Sequence, residues 1–448
     1  MSTTYLEAKD NVSLDHLPGD YGWPFLGYTF HLLKDFQGTM KRQYERYGPV
    51  SRFGLAGFKG VLLLGPDLAQ QVYLDTERNF SARMGYDRSL GKFYRGALLL
   101  QDFDEHRFQR RLMQNAFKTP AMRGYLDVQS PMLEAAVSSW RYQSDFHFFP
   151  AIKQTLLDVA ANIFLGLDSL GGDAQRINRA FLDVADGLLG LVEWDVPGTR
   201  YHRAKRGQHE LESFVRSLIP QRRDSDGSDT LTHFCQATTE DGQHFSEDEI
   251  VPHISFLLFA AHDTTTSALS HLLYHIGRDT AWQERLRQEV LALGDEPLSY
   301  EHLSQMPDID NAVHETLRLH PSVVMMQRRT IRECELGGHV IPANTVVFVA
   351  PQFTHRMAEW WDEPDRFDPD RFAEPRSEQK RHPFSFIGFG GGAHKCIGMH
   401  FALMQSKVFL YHFLRRYRFE LPADYEPRLQ TIPLPKPADD LPLTLQPL

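Results

Sequence analysis

The chain has 448 residues, a formal net charge of −10 at pH 7 and 24% charged residues. This acidic balance, without a long lysine or arginine run, argues against a nucleic-acid-binding protein. The three cysteines, Cys235, Cys334 and Cys396, lie far apart, which argues against a disulfide framework and suits a reducing compartment. The first twenty residues contain no apolar stretch of signal-peptide or membrane-span length, so we expect a cytoplasmic protein without a stable membrane anchor.

The sequence pattern predicts a mostly helical protein. Val50 to Leu64 alternate in hydrophobicity and contain three glycines, which indicates a small twisted hairpin. Helical patterns dominate from about Asp104 to Leu319, interrupted by a polar loop at 222–229. Val340 to Ala350 indicates a second hairpin, and Leu434 to Leu448 a terminal strand. We expect one domain over 1–448, with a helical body at about 100–325 and a minor β portion at about 45–75 and 335–365.

The glycine-rich stretch 384–398 is the most informative segment, because it places Cys396 after three consecutive glycines and before Gly398. A glycine-rich turn lets backbone N–H groups approach a sulfur atom, since no side chains block the way. Met399 to Leu414 has helical character, and the positive end of that helix is expected to lower the pKa of the thiol. A thiolate held in this way is a natural axial ligand for haem iron.

Three other interpretations of this segment compete with a haem ligand on the residues alone. A dinucleotide-binding fingerprint starting at Gly388 fits formally, but only ~50 residues follow, too few for the rest of a doubly wound sheet. A zinc site on Cys396 and neighbouring histidines would lack the regular ligand pairs of such sites. A lone cysteine is also commonly a buried, inert side chain.

The spacing Phe389-x-x-Gly392-x-His394-x-Cys396-x-Gly398 resembles the haem-ligand loop of the cytochrome P-450 superfamily. The resemblance implies the superfamily's fold, a mainly α domain around a buried haem b, with Cys396 as the iron ligand. It also places Phe389, His394 and Gly398 in the cofactor-binding loop. Most members have arginine where this chain has His394, whose ability to donate to a haem propionate as a cation depends on pH.

A second stretch, 259–266, lies midway along a long helix whose start is predicted by a capping box at Ser246. It resembles the oxygen-binding helix of the superfamily, in which small residues such as Ala260 lie against the haem. The resemblance implies that Asp263 and Thr264 relay protons through water during oxygen activation. Taken alone, these two residues are equally ordinary on an exposed helix face.

Glu315 and Arg318 share one face of a predicted helix and can form an ion pair. The segment 312–321 around them resembles the Glu-x-x-Arg helix of the superfamily, and the turn 367–372 supplies Arg371 as the third member. The resemblance implies a structural triad that holds the core near the haem. Without it, such a pair would be read as a surface ion pair of little value.

Propionate partners are implied at two further places. His106 and Arg110 fit a Trp/His-x-x-x-Arg element, and Arg328 and Arg329 stand where an arginine normally precedes the second sheet region. We favour Arg328, although the sequence hardly separates the two. Arginine suits a carboxylate because its donors form a fork. Each of these charges, taken alone, would more often be solvated.

These motifs stand in the order of the superfamily over nearly the whole chain, which implies a soluble, monomeric haem-thiolate monooxygenase using O2. Electrons are expected from a separate ferredoxin or flavodoxin with its reductase, docked on a basic patch of Arg111, Lys395 and Lys407. Two alternatives remain: desaturation, ring coupling or peroxide-driven oxidation on the same scaffold, and a haem sensor without catalysis.

The regions where the superfamily contacts its substrates are overwhelmingly apolar here, which suggests a terpenoid, steroid, retinoid or fatty acid. The segments 17–27 and 196–201 resemble the branch that oxidises sterols, retinoids and other isoprenoids. The same side chains would also suit an ordinary hydrophobic core. The candidate substrate contacts are Phe93, Leu98, Leu99, Leu188, Leu189, Phe256, Ala260, Val323, Val324 and Met325.

Overall fold

The structure is a computed structural model that describes residues 7, 12–140, 146–167, 171–188, 190, 193–239, 242–431 and 434–448. Helices are the main element there, as the sequence predicts. They are α1 (Thr29–Lys34), α2 (Phe36–Tyr47), α3 (Pro66–Leu74), α4 (Ala82–Tyr86), α5 (Gly91–Tyr94), α6 (Phe103–Met113), α7 (Thr119–Ser139), α8 (Phe148–Leu165), α9 (Gly172–Leu188), α10 (Arg200–Arg223), α11 (Thr230–Gln236), α12 (Glu247–Arg278), α13 (Thr280–Leu291), α14 (Pro307–Leu319), α15 (Pro351–Thr354) and α16 (Met399–Arg416).

The strands form one larger sheet, in the order β1-β2-β8-β5-β3, and smaller sheets β4-β12-β9, β6-β7 and β10-β11. In the larger sheet only β2 and β8 pair in parallel. The strands are β1 (Val50–Leu55), β2 (Phe58–Leu63), β3 (Phe80–Ser81), β4 (Phe146–His147), β5 (Met326–Thr330), β6 (Cys334–Leu336), β7 (His339–Ile341), β8 (Val346–Val349), β9 (Tyr417–Glu420), β10 (Leu429–Gln430), β11 (Lys436–Pro437) and β12 (Pro442–Pro447).

Three local predictions are confirmed. The hairpin expected at Val50 to Leu64 is the antiparallel pair β1–β2, with Val50 opposite Leu63. The long central helix is α12, and the backbone N–H of Ser246 donates to Glu249 Oε2 at 2.8 Å, one half of the predicted capping box. The polar loop expected at 222–229 joins α10 to α11.

The hairpin predicted over Val340 to Ala350 is wrong. β7 pairs with β6 through a turn at Gly337 and Gly338, whose φ angles of 56° and 78° are left-handed and suit glycine. β8 pairs instead with β2 and β5. The segment with Pro342 and Asn344 therefore connects two sheets, because the preceding glycine turn already supplies β7 with its partner.

The largest hydrophobic core lies among α7, α8, α12, α14 and α16. α8 is the one helix in the described residues that is long and apolar enough to cross a membrane, with a mean hydropathy of 1.2. However, 61% of its residues are buried inside the protein, and Phe148, Ile152 and Leu156 pack in this core. Burial in the core explains its apolar composition.

Four charged side chains meet in the interior beside α14. Arg318 Nε lies 2.6 Å from Glu315 Oε2, and Arg371 Nε lies 3.0 Å from Glu315 Oε1. Arg371 Nη1 also donates to Glu378 Oε2 at 2.7 Å, and all four side chains are 0% exposed. The structure thus brings together the predicted Glu315, Arg318 and Arg371 and adds Glu378. Such a network withstands burial because every charge has an opposite partner.

We predict that Glu315→Ala destabilises the fold rather than altering the chemistry, because it leaves Arg318 and Arg371 without their shared carboxylate. Removing one partner of a buried pair costs roughly 3–5 kcal/mol. Thermal melting and the yield of soluble, folded protein measure this loss. Asp295→Ala is the matched control, since Asp295 pairs with Arg415 at 2.7 Å but is fully exposed. If both variants melted like the parent, the buried network would not hold the fold together.

Candidate active site

The loop that carries Cys396 is built around glycines in left-handed conformations. Gly390 and Gly392 have φ angles of 70° and 59°. A Cβ at Gly392 would lie 1.8 Å from the carbonyl oxygen of Tyr73, so a larger residue would collide with the backbone. The N–H of Cys396 donates to the carbonyl of Phe389 at 2.9 Å and closes the turn just before α16. The predicted loop residues Phe389, Cys396 and Gly398 are thus brought together.

A histidine ties this loop to the buried charge network. Arg318 Nη1 donates to the carbonyl of His355 at 2.8 Å, and the N–H of Ile387 donates to His355 Nε2 at 2.8 Å. Burial and the neighbouring arginines lower the pKa of His355 to about 3, so the ring stays neutral and Nε2 stays an acceptor. The Cys396 loop is therefore fixed to α14 through one imidazole.

The Cys396 side chain is accessible, although protein surrounds the thiol closely enough to raise its pKa through desolvation. These observations agree when Cys396 lines an internal space. The N–H of Gly398, Arg110 and Lys395 lower the pKa, but burial has the larger effect. The expectation of a lowered thiol pKa is therefore wrong for the protein alone, because desolvation outweighs the nearby donors. A metal cation would supply the missing stabilisation of the thiolate.

One face of α12 borders accessible space in the same way. Phe256, Ala260, Asp263 and Thr264 are half-buried and recur at helical spacing, whereas most of their neighbours are buried. Thr264 Oγ1 donates to the carbonyl of Ala260 at 2.7 Å, and Ser322 Oγ donates to the carbonyl of Thr264 at 2.9 Å. The predicted residues of this helix thus share one face, with the hydroxyl of Thr264 held in place.

Asp263 has two partners that the sequence did not reveal. Its Oδ1 lies 2.9 Å from Lys153 Nζ and 3.2 Å from His262 Nε2. Burial by itself would raise the pKa of Asp263, but His262 and Lys153 outweigh it and lower the pKa to about 2. Asp263 is therefore ionised at neutral pH. Lys153 could have been recognised from the sequence, because it is the one basic residue in the apolar helix α8.

Four predicted cofactor contacts line one open cleft of about 530 Å³, together with other arginines from α6. These residues are His106, Arg110, Arg328 and His394. Arg329 does not line the cleft, since successive side chains of β5 point to opposite faces, and it donates to the carbonyl of Asn344 at 3.2 Å. The geometry therefore favours Arg328 over Arg329 as the cleft arginine.

The rings of His106 and His394 pack against each other in this cleft, with centroids 3.9 Å apart and planes tilted by 30°. Burial, helped by Arg110 and Arg328, lowers the pKa of His106 to about 4 and holds that of His394 well below its usual value. Both rings are therefore neutral at pH 7. His106 Nε2 is buried and has no hydrogen-bond partner among the described residues. In the tautomer with its proton on Nε2, this ring would donate to a carboxylate oxygen.

These residues fit a haem. Cys396 offers an accessible sulfur ligand, and Arg110 and Arg328 supply the donors that two propionates need. The unpartnered His106 Nε2 adds a further donor on the same side. The half-buried face of α12 presents small side chains such as Ala260, against which a flat macrocycle can lie.

The expected basic docking patch is only partly present. Arg111 and Lys395 are exposed, but Lys407 is buried and donates to Asp310 Oδ2 and to the carbonyl of Leu303, both at 2.6 Å. Lys407 holds α16 against neighbouring segments and therefore does not belong to a docking surface.

The candidate substrate contacts fall into separate groups. Phe93, Leu99, Leu188 and Phe256 pack in one apolar cluster between α5, α9 and α12. Leu98 belongs to the main core, Val324 and Met325 pack against the larger sheet, and Val323 is 41% exposed. Leu189 lies outside the described residues. The sequence missed Tyr94 and Phe259, which stack within the first cluster at 5.3 Å.

Comparison with known proteins identifies the family. The sequence profile described as cytochrome P450 matches residues 17–441. The chain belongs to the cytochrome P450 family. Cytochrome P450 136 of Mycobacterium tuberculosis (strain ATCC 25618 / H37Rv) is 38% identical over 447 residues, covering 98% of this chain and 90% of the relative. Lanosterol 14-alpha demethylase of Bos taurus is 26% identical over 417 residues, covering 90% and 82% of the two chains.

A solved structure shows the same P450 fold. The retinoic acid bound cyanobacterial CYP120A1 matches with a TM-score of 0.86 at 28% identity, covering 96% of this chain and 99% of that one. Family and fold confirm the predicted mainly α architecture, the haem-iron cofactor and the monooxygenase class. The resemblance to the sterol- and retinoid-oxidising branch is consistent with these relatives.

Arg328→Leu should accelerate haem loss, because a propionate would lose its charge-assisted donor. Such bonds contribute about 1.5–3 kcal/mol, so we predict a loss rate roughly ten- to a hundredfold higher. Transfer of haem to excess apomyoglobin measures the rate. Arg329→Leu, the buried neighbour on the opposite face, is the control and should lower the melting temperature with little change in haem loss. Equal rates of haem loss for Arg328→Leu and the parent would show that Arg328 does not hold the haem.

Proposed function

We propose that this P450 oxidises an apolar isoprenoid-like small molecule, such as a terpenoid, steroid or retinoid, and that Cys396 would hold the haem iron as a thiolate. The accessible Cys396 sulfur on its glycine-built loop carries the assignment of the ligand. Two observations support the substrate class: the apolar cluster around Phe93 and Phe256, and relatives named for lanosterol and retinoic acid. A fatty acid is the remaining apolar candidate.

The reaction consumes a substrate C–H bond, O2, two electrons and two protons, and yields an alcohol and water. The haem, when bound, activates dioxygen and performs the oxidation. Cys396 would hold the iron of that haem through its sulfur, the ligand type that suits oxygen activation. Arg110, Arg328, His106 and His394 would hold the propionates.

Asp263 and Thr264 would supply the protons. Lys153 is partly exposed, at 29% of its side chain, and pairs with the more buried Asp263. The ionised carboxylate can therefore accept a proton from the solvent side and pass it towards the Thr264 hydroxyl through water. A general acid–base role of this kind favours oxygen activation over peroxide-driven oxidation and over a sensor, neither of which needs a proton relay.

The two electrons would come from a separate ferredoxin or flavodoxin with its reductase, docked near the exposed Arg111 and Lys395. We further propose that 1–448 forms one monomeric, cytoplasmic P450 domain. Phe389, Ala260 and Gly398 would contact the cofactor, and Glu315, Arg318 and Arg371 would be structural.

A ligand screen tests the substrate class. The haem-loaded protein is titrated with retinoic acid, lanosterol and a series of fatty acids, and the shift of the haem spin state is recorded. We expect spin-state shifts with the isoprenoids at lower concentrations than with any fatty acid. Shifts with fatty acids alone would contradict the isoprenoid assignment.

The Cys396→His variant tests the ligand. We predict that it loses the red-shifted ferrous–CO absorption band of a thiolate-bound haem, because an imidazole replaces the thiolate that would bind the iron. Cys235→Ser and Cys334→Ser, which change the other two free cysteines, should keep that band. A Cys396→His protein with the thiolate band would show that another residue binds the iron.

Thr264→Ala should keep haem and ligand binding but divert electrons into hydrogen peroxide, because proton delivery is impaired. Proton-transfer groups typically contribute about 10²- to 10⁴-fold to the rate. Peroxide and oxidised product are measured per electron consumed. Thr264→Ser keeps the hydroxyl and should therefore retain product formation. Thr265→Ala is the control, because Thr265 Oγ1 makes the same kind of hydrogen bond, to the carbonyl of Ala261 at 3.0 Å. Unchanged coupling in Thr264→Ala would exclude this role.

A further inference from the structure

The segment Gly96 to Gln101, here termed the Leu98 loop, is held against α12. It leads from α5 into α6 and contains a 3₁₀ turn at Leu98–Leu100. Gly96 has a left-handed φ of 91°, and a Cβ there would meet Pro252 of α12 at 3.3 Å. The loop therefore lies so close to α12 that even a methyl group at Gly96 would make a tight contact with Pro252. Of its two candidate substrate contacts, Leu99 packs in the apolar cluster with Phe93 and Phe256, whereas Leu98 packs in the main core.

A buried histidine bonds to the backbone of this loop. The N–H of Leu98 donates to His253 Nδ1 at 3.1 Å. A backbone N–H can only donate, so Nδ1 must be the acceptor and the ring proton must be on Nε2. His253 is 0% exposed, and its ring packs against Phe245 at 5.4 Å and Phe234 at 6.5 Å. The imidazole therefore has one tautomer and one orientation.

The other ring nitrogen reaches α6. His253 Nε2–H donates to Gln109 Oε1, which also accepts from Gln101 Nε2 at 2.7 Å. Gln109 Nε2 donates to Glu249 Oε1 at 2.8 Å, one turn before His253 on α12. These bonds fix the orientation of the Gln109 amide. The network thus joins three elements: the Leu98 loop, the helix of His106 and Arg110, and the helix of Asp263 and Thr264.

The hydrogen bonds of this network require a neutral His253 ring. Burial, with a smaller contribution from His106, lowers the pKa of His253 to about 3. The titratable groups next to the network are His106 on α6 and Glu249 on α12. His253 is therefore neutral at pH 7, and its Nδ1 can accept the hydrogen bond from the Leu98 N–H.

We propose that His253 is a positioning residue for substrate: it sets the Leu98 loop at a fixed distance from the helices that contact haem and oxygen. The inference rests on the proposed function, because the loop matters only if it borders the substrate. Without the hydrogen bond from the Leu98 N–H to His253, the loop could move away from α12. The surface that an apolar ligand contacts would then no longer have a fixed shape. Ligand binding at the iron alone would be unaffected.

Two substitutions separate the two bonds. His253→Asn places an oxygen where Nδ1 stood and can still accept from Leu98, whereas His253→Gln places an amide where Nε2 stood and keeps only the Gln109 bond. His253→Leu keeps neither. His271→Asn is the control, because His271 is equally buried on α12 but its Nδ1 bonds only to the carbonyl of Ser267 at 2.8 Å.

Binding to the haem-loaded proteins is measured by absorbance with two probes. 1-Dodecylimidazole binds the iron and extends an alkyl chain along the apolar wall; imidazole binds the iron alone. We expect His253→Gln and His253→Leu to weaken dodecylimidazole binding roughly 3- to 10-fold, in keeping with the loss of one net hydrogen bond. His253→Asn, His271→Asn and all imidazole affinities should stay within about twofold of the parent, less than such a bond contributes.

Hydrogen exchange of the amides of the Leu98 loop provides the second measurement. The Leu98 amide should exchange faster in His253→Gln than in His253→Asn or the parent. If His253→Gln gives no folded holoenzyme, Gln101→Ala replaces it, since it removes the loop's other hydrogen bond to this network, from Gln101 Nε2 to Gln109 Oε1. Parent-like dodecylimidazole affinity and exchange in these variants would overturn the proposal. A parent protein that bound imidazole but not dodecylimidazole would instead contradict the apolar site, and the exchange data would still decide on His253.

Discussion

The position of Cys396 depends on a set of charges buried far from water. Glu315, Arg318, Arg371 and Glu378 are fully buried and mutually paired, so none can move without leaving a charge unsatisfied. His355 connects these charges to the cysteine loop, because its ring accepts a hydrogen bond from the N–H of Ile387. A loop rich in glycine would be flexible by itself. Its anchoring to this network is what allows one sulfur atom to be presented in a defined place.

The same reasoning applies across the site, where Asp263 and Thr264, the two groups proposed to move protons, are each held by a neighbouring residue. Thr264 is fixed by the carbonyl of Ala260, and Asp263 by Lys153. His262 and Lys153 together keep Asp263 ionised, since burial alone would raise the pKa of this carboxyl. Precise placement by surrounding residues is the usual requirement for acid–base catalysis, because proton transfer needs hydrogen-bond distances.

The features that were predicted correctly from the sequence are those that depend on residues close together in the chain. The capping box at Ser246, the spacing around Cys396 and the Glu315–Arg318 pair all depend on residues within a few positions of one another, and the structure places them as expected. The partners that complete the site could not be predicted in this way. Lys153 is 110 positions from Asp263 in the sequence, and His253 bonds to Leu98 across 155 positions. The errors had physical causes as well: the Gly337–Gly338 turn occupied β7, and desolvation outweighed the donors near the Cys396 thiol.

Iron K-edge X-ray absorption of the haem-loaded protein tests the central claim, that Cys396 of this loop binds the haem iron, most directly. Because Cys396 is the only accessible sulfur that the described residues place on this loop, the account predicts one sulfur scatterer beside the porphyrin nitrogens. That scatterer should be absent when Cys396 is replaced by serine. A spectrum fitted by nitrogen and oxygen alone in the unaltered protein would contradict the account.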